Sequence, residues 1–219
     1  MELKGKKINF LGDSITEGCG VSCEENIYHQ IMKRNYGLAE ARNYGVGGTR
    51  FARQLTPSEP QYDRNFLVRA AEMDQDADVI VVMGGTNDFG HGDAPIGTCY
   101  DRENNTFYGA CHQLFTYLLE TYPEAVIAVC TPLHRSNEDD PMGDHYYKTY
   151  HTGALKVYVD IIREVAEYYS LPVIDLYAVS GIQPKVGVMM EKYMPDGLHP
   201  NDAGHEKMAQ IIGNFLLAY

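Results

Sequence analysis

Two short segments near opposite ends of this 219-residue chain carry the residue types of nucleophilic catalysis. The first, Gly12-Asp13-Ser14-Ile15-Thr16, follows an apolar run, Ile8 to Leu11, that reads as a buried strand. A serine where such a strand breaks exposes its hydroxyl at the C-terminal edge of a sheet, where ligands of open α/β sheets bind. The turn also supplies backbone N–H groups that can face a developing oxyanion. The second segment, Asp196-Gly197-Leu198-His199-Pro200, sets a carboxylate and an imidazole three residues apart. A hydroxyl is a poor nucleophile until a base takes its proton, and imidazole titrates in the right range to do so. If the segment curls as a turn, Asp196 reaches the ring's other nitrogen and fixes its tautomer. Gly197 makes such a turn easy because it tolerates positive φ. Pro200 then ends the turn, and Asn201 can cap a following helix. Asp13 reads as a structural residue, holding its turn through neighbouring amides.

Two further blocks lie between these ends. One is Asn43-Tyr44-Gly45-Val46-Gly47-Gly48-Thr49, and the other Gly84-Gly85-Thr86-Asn87-Asp88. Each block alone has a plainer reading. Gly-Asp-Ser is an ordinary surface turn, and Asp196 with His199 can simply cap the last helix. Gly45 to Gly48 suits a phosphate-cradling loop, but no P-loop Lys follows it. Together and in this order, the four blocks resemble the GDSL esterase family, also called SGNH hydrolases for its Ser, Gly, Asn and His. The resemblance runs from about Ile8 to the C-terminus. It implies Ser14 as nucleophile, His199 as base and then acid, and Asp196 as the residue that orients it. It implies an oxyanion hole built from the Ser14 amide, the Gly48 amide and the Asn87 side chain. Gly45, Gly47 and Gly48 compete for the second place, and spacing from Asn43 favours Gly48. The Gly-x-Ser-x-Gly elbow of α/β-hydrolases is missing, so that fold is a poor match.

The resemblance implies a serine esterase that works through an acyl-enzyme, with no cofactor and no metal. Polar, Tyr-rich loops and the lack of an evident amphipathic lid lean the reading toward short acyl groups, such as acetyl on carbohydrate. Within the same family the alternative is a lysophospholipase or acyl-thioesterase, which a long apolar groove beside Ser14 would favour. Met189, Met190 and Met194 are candidates to line such a groove, or ordinary core. Outside enzymes, the alternative is a non-catalytic carbohydrate-binding or interaction domain. The complete set Ser14, Asn87, Asp196 and His199 argues against it.

These residues need elements to position them, and strand-like and helix-like segments alternate along the chain. Strands are expected at Ile8 to Leu11, Arg42 to Val46, Val79 to Met83, Val126 to Cys130 and Val173 to Leu176. Helices are expected at Ile27 to Tyr36, Phe66 to Met73, Phe107 to Tyr122, Leu155 to Tyr169 and from about Asn201 onward. Phe89 to Thr106 and His134 to His151 read as long loops bordering the site. Tyr146, Tyr147 and Tyr150 suit sugar stacking, or equally cover the domain or a neighbouring subunit, so a homo-oligomer stays open. The alternation implies an α/β fold, a doubly wound five-stranded parallel sheet within a three-layer α/β/α sandwich. The resemblance adds a flavodoxin-like strand order, 2-1-3-4-5. That order places the switch point between strands one and three, so Ser14 and Asn87 meet at one crevice.

Composition bounds the rest. The length suits one domain, 1–219, with no linker or repeat to divide it. Hydrophobic residues make up 44%, enough for a packed core. With 18 Lys and Arg against 30 Asp and Glu, the formal net charge of −12 disfavours nucleic acid and anionic membrane surfaces as partners. No run approaches the about 18 apolar residues of a membrane span. Five scattered cysteines suggest reduced thiols, and with no signal-like leader the expected location is cytoplasmic. Cys19 and Cys23 lack a second ligand pair, and the remaining histidines, His91 among them, form no metal-type spacing. His29 and His112 are expected on helices and partly exposed. The remaining partner is a small-molecule or carbohydrate ester.

Overall fold

The computed structural model describes residues 1–144 and 152–219 of the chain. Tyr146, Tyr147 and Tyr150 lie outside the described residues. Five parallel strands form one sheet: β1 (Lys7–Gly12), β2 (Glu40–Gly45), β3 (Val79–Met83), β4 (Val126–Cys130) and β5 (Val173–Ile174). Their order is β2-β1-β3-β4-β5. Every residue of β3 is buried, as a β-branched run covered on both faces requires.

Side chains alternate between the two faces with the period of a strand. Leu11, Ile80, Val82, Ile127 and Val129 pack under α3 (Phe66–Ala70), α5 (Phe107–Thr121) and α6 (Leu155–Tyr168). Ile8, Phe10, Val79, Val81, Met83, Ala128 and Cys130 pack under α2 (Tyr28–Tyr36) and the last long helix (Asp202–Ala218). The result is helices on both faces of a parallel sheet, the doubly wound arrangement.

Among the described residues, further α-helices complete the fold. Helix α1 (Ser14–Glu17) follows β1 with Asp13 as its N-cap. Helix α4 (Thr86–His91) follows β3 after Gly84 and Gly85. Helix α7 is Leu176–Val179 and α8 is Gly187–Tyr193, and the last helix, α9, carries Asn201 as its N-cap.

Two expectations are corrected. Asn87 lies inside α4 and not at the mouth of a long loop, so the loop begins only after His91. His29 and His112 are buried, because ring nitrogens of both find partners inside the fold. His29 Nε2 pairs with the Thr16 carbonyl at 3.1 Å, and His112 Nδ1 with the Tyr169 hydroxyl at 3.1 Å. Of the two readings left open for Met194, the ordinary core is the one observed, since the residue is fully buried.

Candidate active site

Three adjacent strands end together. Gly12 of β1 pairs with Gly45 of β2 on one side and Met83 of β3 on the other. Ser14, the Gly45 to Gly48 loop and Asn87 therefore leave the sheet at neighbouring points of its C-terminal edge. Gly45 allows this: a Cβ there would lie 2.1 Å from the Glu17 backbone nitrogen. Loop and α1 could not approach so closely with any larger residue.

Ser14 is the first residue of α1, so its N–H has no helical carbonyl to meet. Asp13 holds the turn: its Oδ1 accepts from the Ile15 N–H at 3.0 Å. Burial pushes the Asp13 carboxyl up to about 6, with the Ile15 amide and the Arg69 charge opposing the rise. Arg69 is itself buried, donating to the Tyr44 carbonyl at 2.6 Å and the Thr49 hydroxyl at 2.8 Å.

The closing loop brings the base. Ser14 Oγ lies 3.0 Å from His199 Nε2, and His199 Nδ1 lies 2.7 Å from Asp196 Oδ2. A carboxylate only accepts, so Nδ1 carries the proton and Nε2 presents its lone pair to the serine hydroxyl. Asp196 Oδ1 accepts from the Leu198 N–H at 2.8 Å and the His199 N–H at 2.7 Å. Burial alone would raise the Asp196 carboxyl, but these amides and the imidazole hold it below the ordinary carboxylate range. Gly197 sits at φ +78°, and a Cβ there would come 2.4 Å from Ser136 Oγ. The Ser136 N–H donates to the Gly197 carbonyl at 2.8 Å and ties the loop to the sheet edge.

The three competing glycines differ in what their amides do. The Gly45 N–H donates to Asn43 Oδ1, and the Gly47 N–H to Glu17 Oε2, both at 2.8 Å. Among the described residues the Gly48 N–H has no such partner, which leaves it free to serve an oxyanion. Gly48 takes φ +73° and packs against Tyr62, whose Cδ1 would lie 2.8 Å from an added Cβ. Asn87 Nδ2 donates one proton to the Thr49 carbonyl at 3.0 Å and keeps a second.

The arrangement offers a hydroxyl with a base in contact, an oriented imidazole, and nearby N–H groups for developing charge. The GDSL-like Lipase/Acylhydrolase family model matches residues 10–207. The chain belongs to that family. It is a carboxylic ester hydrolase of the GDSL type. A Lactobacillus plantarum protein of known structure is 29% identical, covering 99% of this chain and 98% of its own, with a TM-score of 0.84. The fold recurs in a lipase/acylhydrolase from Enterococcus faecalis, at 22% identity over 97% and 96% of the two chains, TM-score 0.61. It recurs too in an acetyl xylan esterase, at 19% identity over 96% and 99%, TM-score 0.58. No curated protein matches the chain.

Sequence reasoning missed Asp88, Arg50 and His91, which tie this family's site together here. Asp88 is buried in α4 and accepts the N–H groups of Phe51 at 2.9 Å and Ala52 at 3.0 Å. His91 lies four residues after Asn87, a spacing that faces the two side chains on a helix. That signal was readable only if α4 was recognised as a helix.

Proposed function

We propose that the GDSL-type hydrolase acts as a serine esterase on short acyl esters, with Ser14 as its nucleophile. The single observation that carries this is the unbroken hydrogen-bond chain Ser14–His199–Asp196 at the sheet's C-terminal edge. Ser14 Oγ attacks the ester carbonyl carbon while His199 Nε2 takes its proton. The carbonyl oxygen becomes an oxyanion facing the Ser14 and Gly48 amides and the Asn87 side chain. Collapse breaks the bond to the alcohol, which leaves with the proton held by His199, and the acyl group stays on Ser14. A water then gives its proton to His199 and attacks the acyl carbon. The acid leaves, and His199 returns a proton to Ser14.

Acetyl on carbohydrate is the favoured substrate class. Polar side chains stand around the Gly48 loop and Asn87: Glu17 accepts from the Gly47 N–H, Tyr62 packs on Gly48, and His91, paired with Arg50, meets Asn87. Met194 is committed to the core, which removes one of three candidates for an apolar channel. An acetyl xylan esterase shares the fold. Residues 1–219 are taken as one catalytic domain. All five cysteines are free thiols, which suits a reducing compartment such as the cytoplasm.

A fluorophosphonate probe should label Ser14 alone, as located by mass spectrometry. In a series of aryl esters, kcat/KM should peak at acetyl to butyryl and fall by octanoyl. Each methylene buried in an apolar channel would contribute about 0.8 kcal/mol, so a lipid channel would give a steady rise instead. That rise would promote a lysophospholipase or acyl-thioesterase, and an adduct elsewhere would remove Ser14 as nucleophile.

A further inference from the structure

An asparagine serves an oxyanion only if its amide is held the right way round. Oxygen and nitrogen of the amide have nearly the same shape. A half-turn about the last bond would present a carbonyl oxygen to the developing negative charge, turning an attraction into a repulsion.

The structure contains a device that fixes this choice. On one side of Asn87 the Thr49 carbonyl, which only accepts, stands 3.0 Å from Nδ2. On the other, Asn87 Oδ1 stands 3.1 Å from His91 Nε2. That contact is attractive only if His91 Nε2 carries a proton. Arg50 supplies the reason that it does. Its Nη1 lies 3.1 Å from His91 Nδ1, and a guanidinium only donates, so Nδ1 must be bare. The proton therefore sits on Nε2. Arg50 is itself fixed: Nη2 donates to the Tyr62 carbonyl at 3.1 Å and to Asp63 Oδ1 at 3.3 Å, and its side chain is 5% exposed. Tyr62 is the ring that packs on Gly48. One arginine thus reaches two of the three oxyanion donors, through His91 to Asn87 and through Tyr62 to Gly48.

We propose that His91, with its tautomer set by Arg50, is a positioning residue that locks the Asn87 amide for oxyanion binding. The proposal rests on the serine-esterase reading of the site. Glutamine can replace the imidazole's two contacts, since its amide donates at one atom and accepts at another. Leucine replaces neither.

The test pairs His91→Leu with His91→Gln on p-nitrophenyl acetate and adds NMR of 15N-histidine and 15N-asparagine protein. Removing an oxyanion donor outright costs about 10²–10³ in kcat, so Asn87→Ala sets the ceiling. His91→Leu should lose about 10–100-fold in kcat with KM within about threefold, a fraction of that ceiling. His91→Gln should recover most of the loss. His91 should show the Nε2–H tautomer, and the Asn87 side-chain amide signals should move in His91→Leu but not in His91→Gln. The proposal fails if His91→Leu keeps kcat within twofold, if the loss lies in KM, if glutamine gives no rescue, or if Nδ1–H is found. If His91→Leu does not fold, the tautomer and the glutamine variant decide. A protein with the expected NMR signature but no ester turnover would keep the lock and remove the esterase reading.

Discussion

Asp196 does three things with two oxygens. One oxygen accepts two backbone amides and shapes the loop, and the other orients the imidazole. Its depressed pKa keeps it ionised at neutral pH, as an acceptor for the ring nitrogen of His199 at 2.7 Å. His199→Ala should lower kcat by at least about three decades, as triad deletions do elsewhere. Its thermal midpoint should stay within a few degrees, because the residue lies on a surface loop. Steady-state kinetics on an acetyl ester checks this, and activity surviving within tenfold would require another base. At this scale the meeting of Ser14, Asp196 and His199 is legible in the sequence, because each sits in a short local motif. Arg50 is not: a lone arginine two residues past a glycine says nothing until tertiary contact places its guanidinium against His91.

Elements with strong apolar runs read cleanly from sequence. Val79–Met83 and Val126–Cys130 match their expected bounds, since a strand buried on both faces has no polar interruption. The edge strand β2 begins at Glu40, two residues before the expected start, because Glu40-Ala41-Arg42-Asn43 has no apolar signature. Helices α1, α7 and α8 are too short to show a 3.6-residue period, and α4 hides behind Gly85 and Gly90. Yet α4 is the element that organises the site. Its Asp88 carboxylate latches the segment after Gly48 through two amides. Asp88→Asn keeps the shape but sets an NH2 group against an N–H donor. Leaving a buried donor unsatisfied costs about 1–3 kcal/mol, and at about 2–4 °C per kcal/mol the midpoint should fall by several degrees. Differential scanning calorimetry should show that fall, with a lower kcat as the Gly48 loop loosens. An unchanged midpoint would mean that the latch carries no load.

The whole molecule should be sensitive to acid. Burial pushes both His29 and His205 down to about 4, from an ordinary value of 6.5. Their neutral forms are favoured by folding, so this stability is present above about pH 6.5 and lost as pH falls toward 4. Each imidazole contributes about 3 kcal/mol on that scale. Asp13 works the other way. Its carboxyl is raised from 3.8 to about 6, so folding gains on acidification through that window. That gain is also about 3 kcal/mol, and two histidines outweigh one aspartate. The thermal midpoint should therefore drop between pH 6.5 and 4.5, and Asp13→Asn should steepen the drop. A midpoint flat over that window would contradict the assignment of buried neutral imidazoles.

Ser14 and His199 touch across 185 residues of chain. Translation runs from the hydroxyl toward the base, at about 5–20 residues per second, so the base follows by roughly 10–40 s. During that interval the nascent chain holds the proposed nucleophile and all three proposed oxyanion donors, with no base to deprotonate the serine. On the proposed mechanism, esterase activity appears only once α9 has drawn the Asp196 loop onto the sheet edge. Turnover is then a report of completed folding, and a refolding chain assayed by ester hydrolysis should lag behind one followed by helical signal.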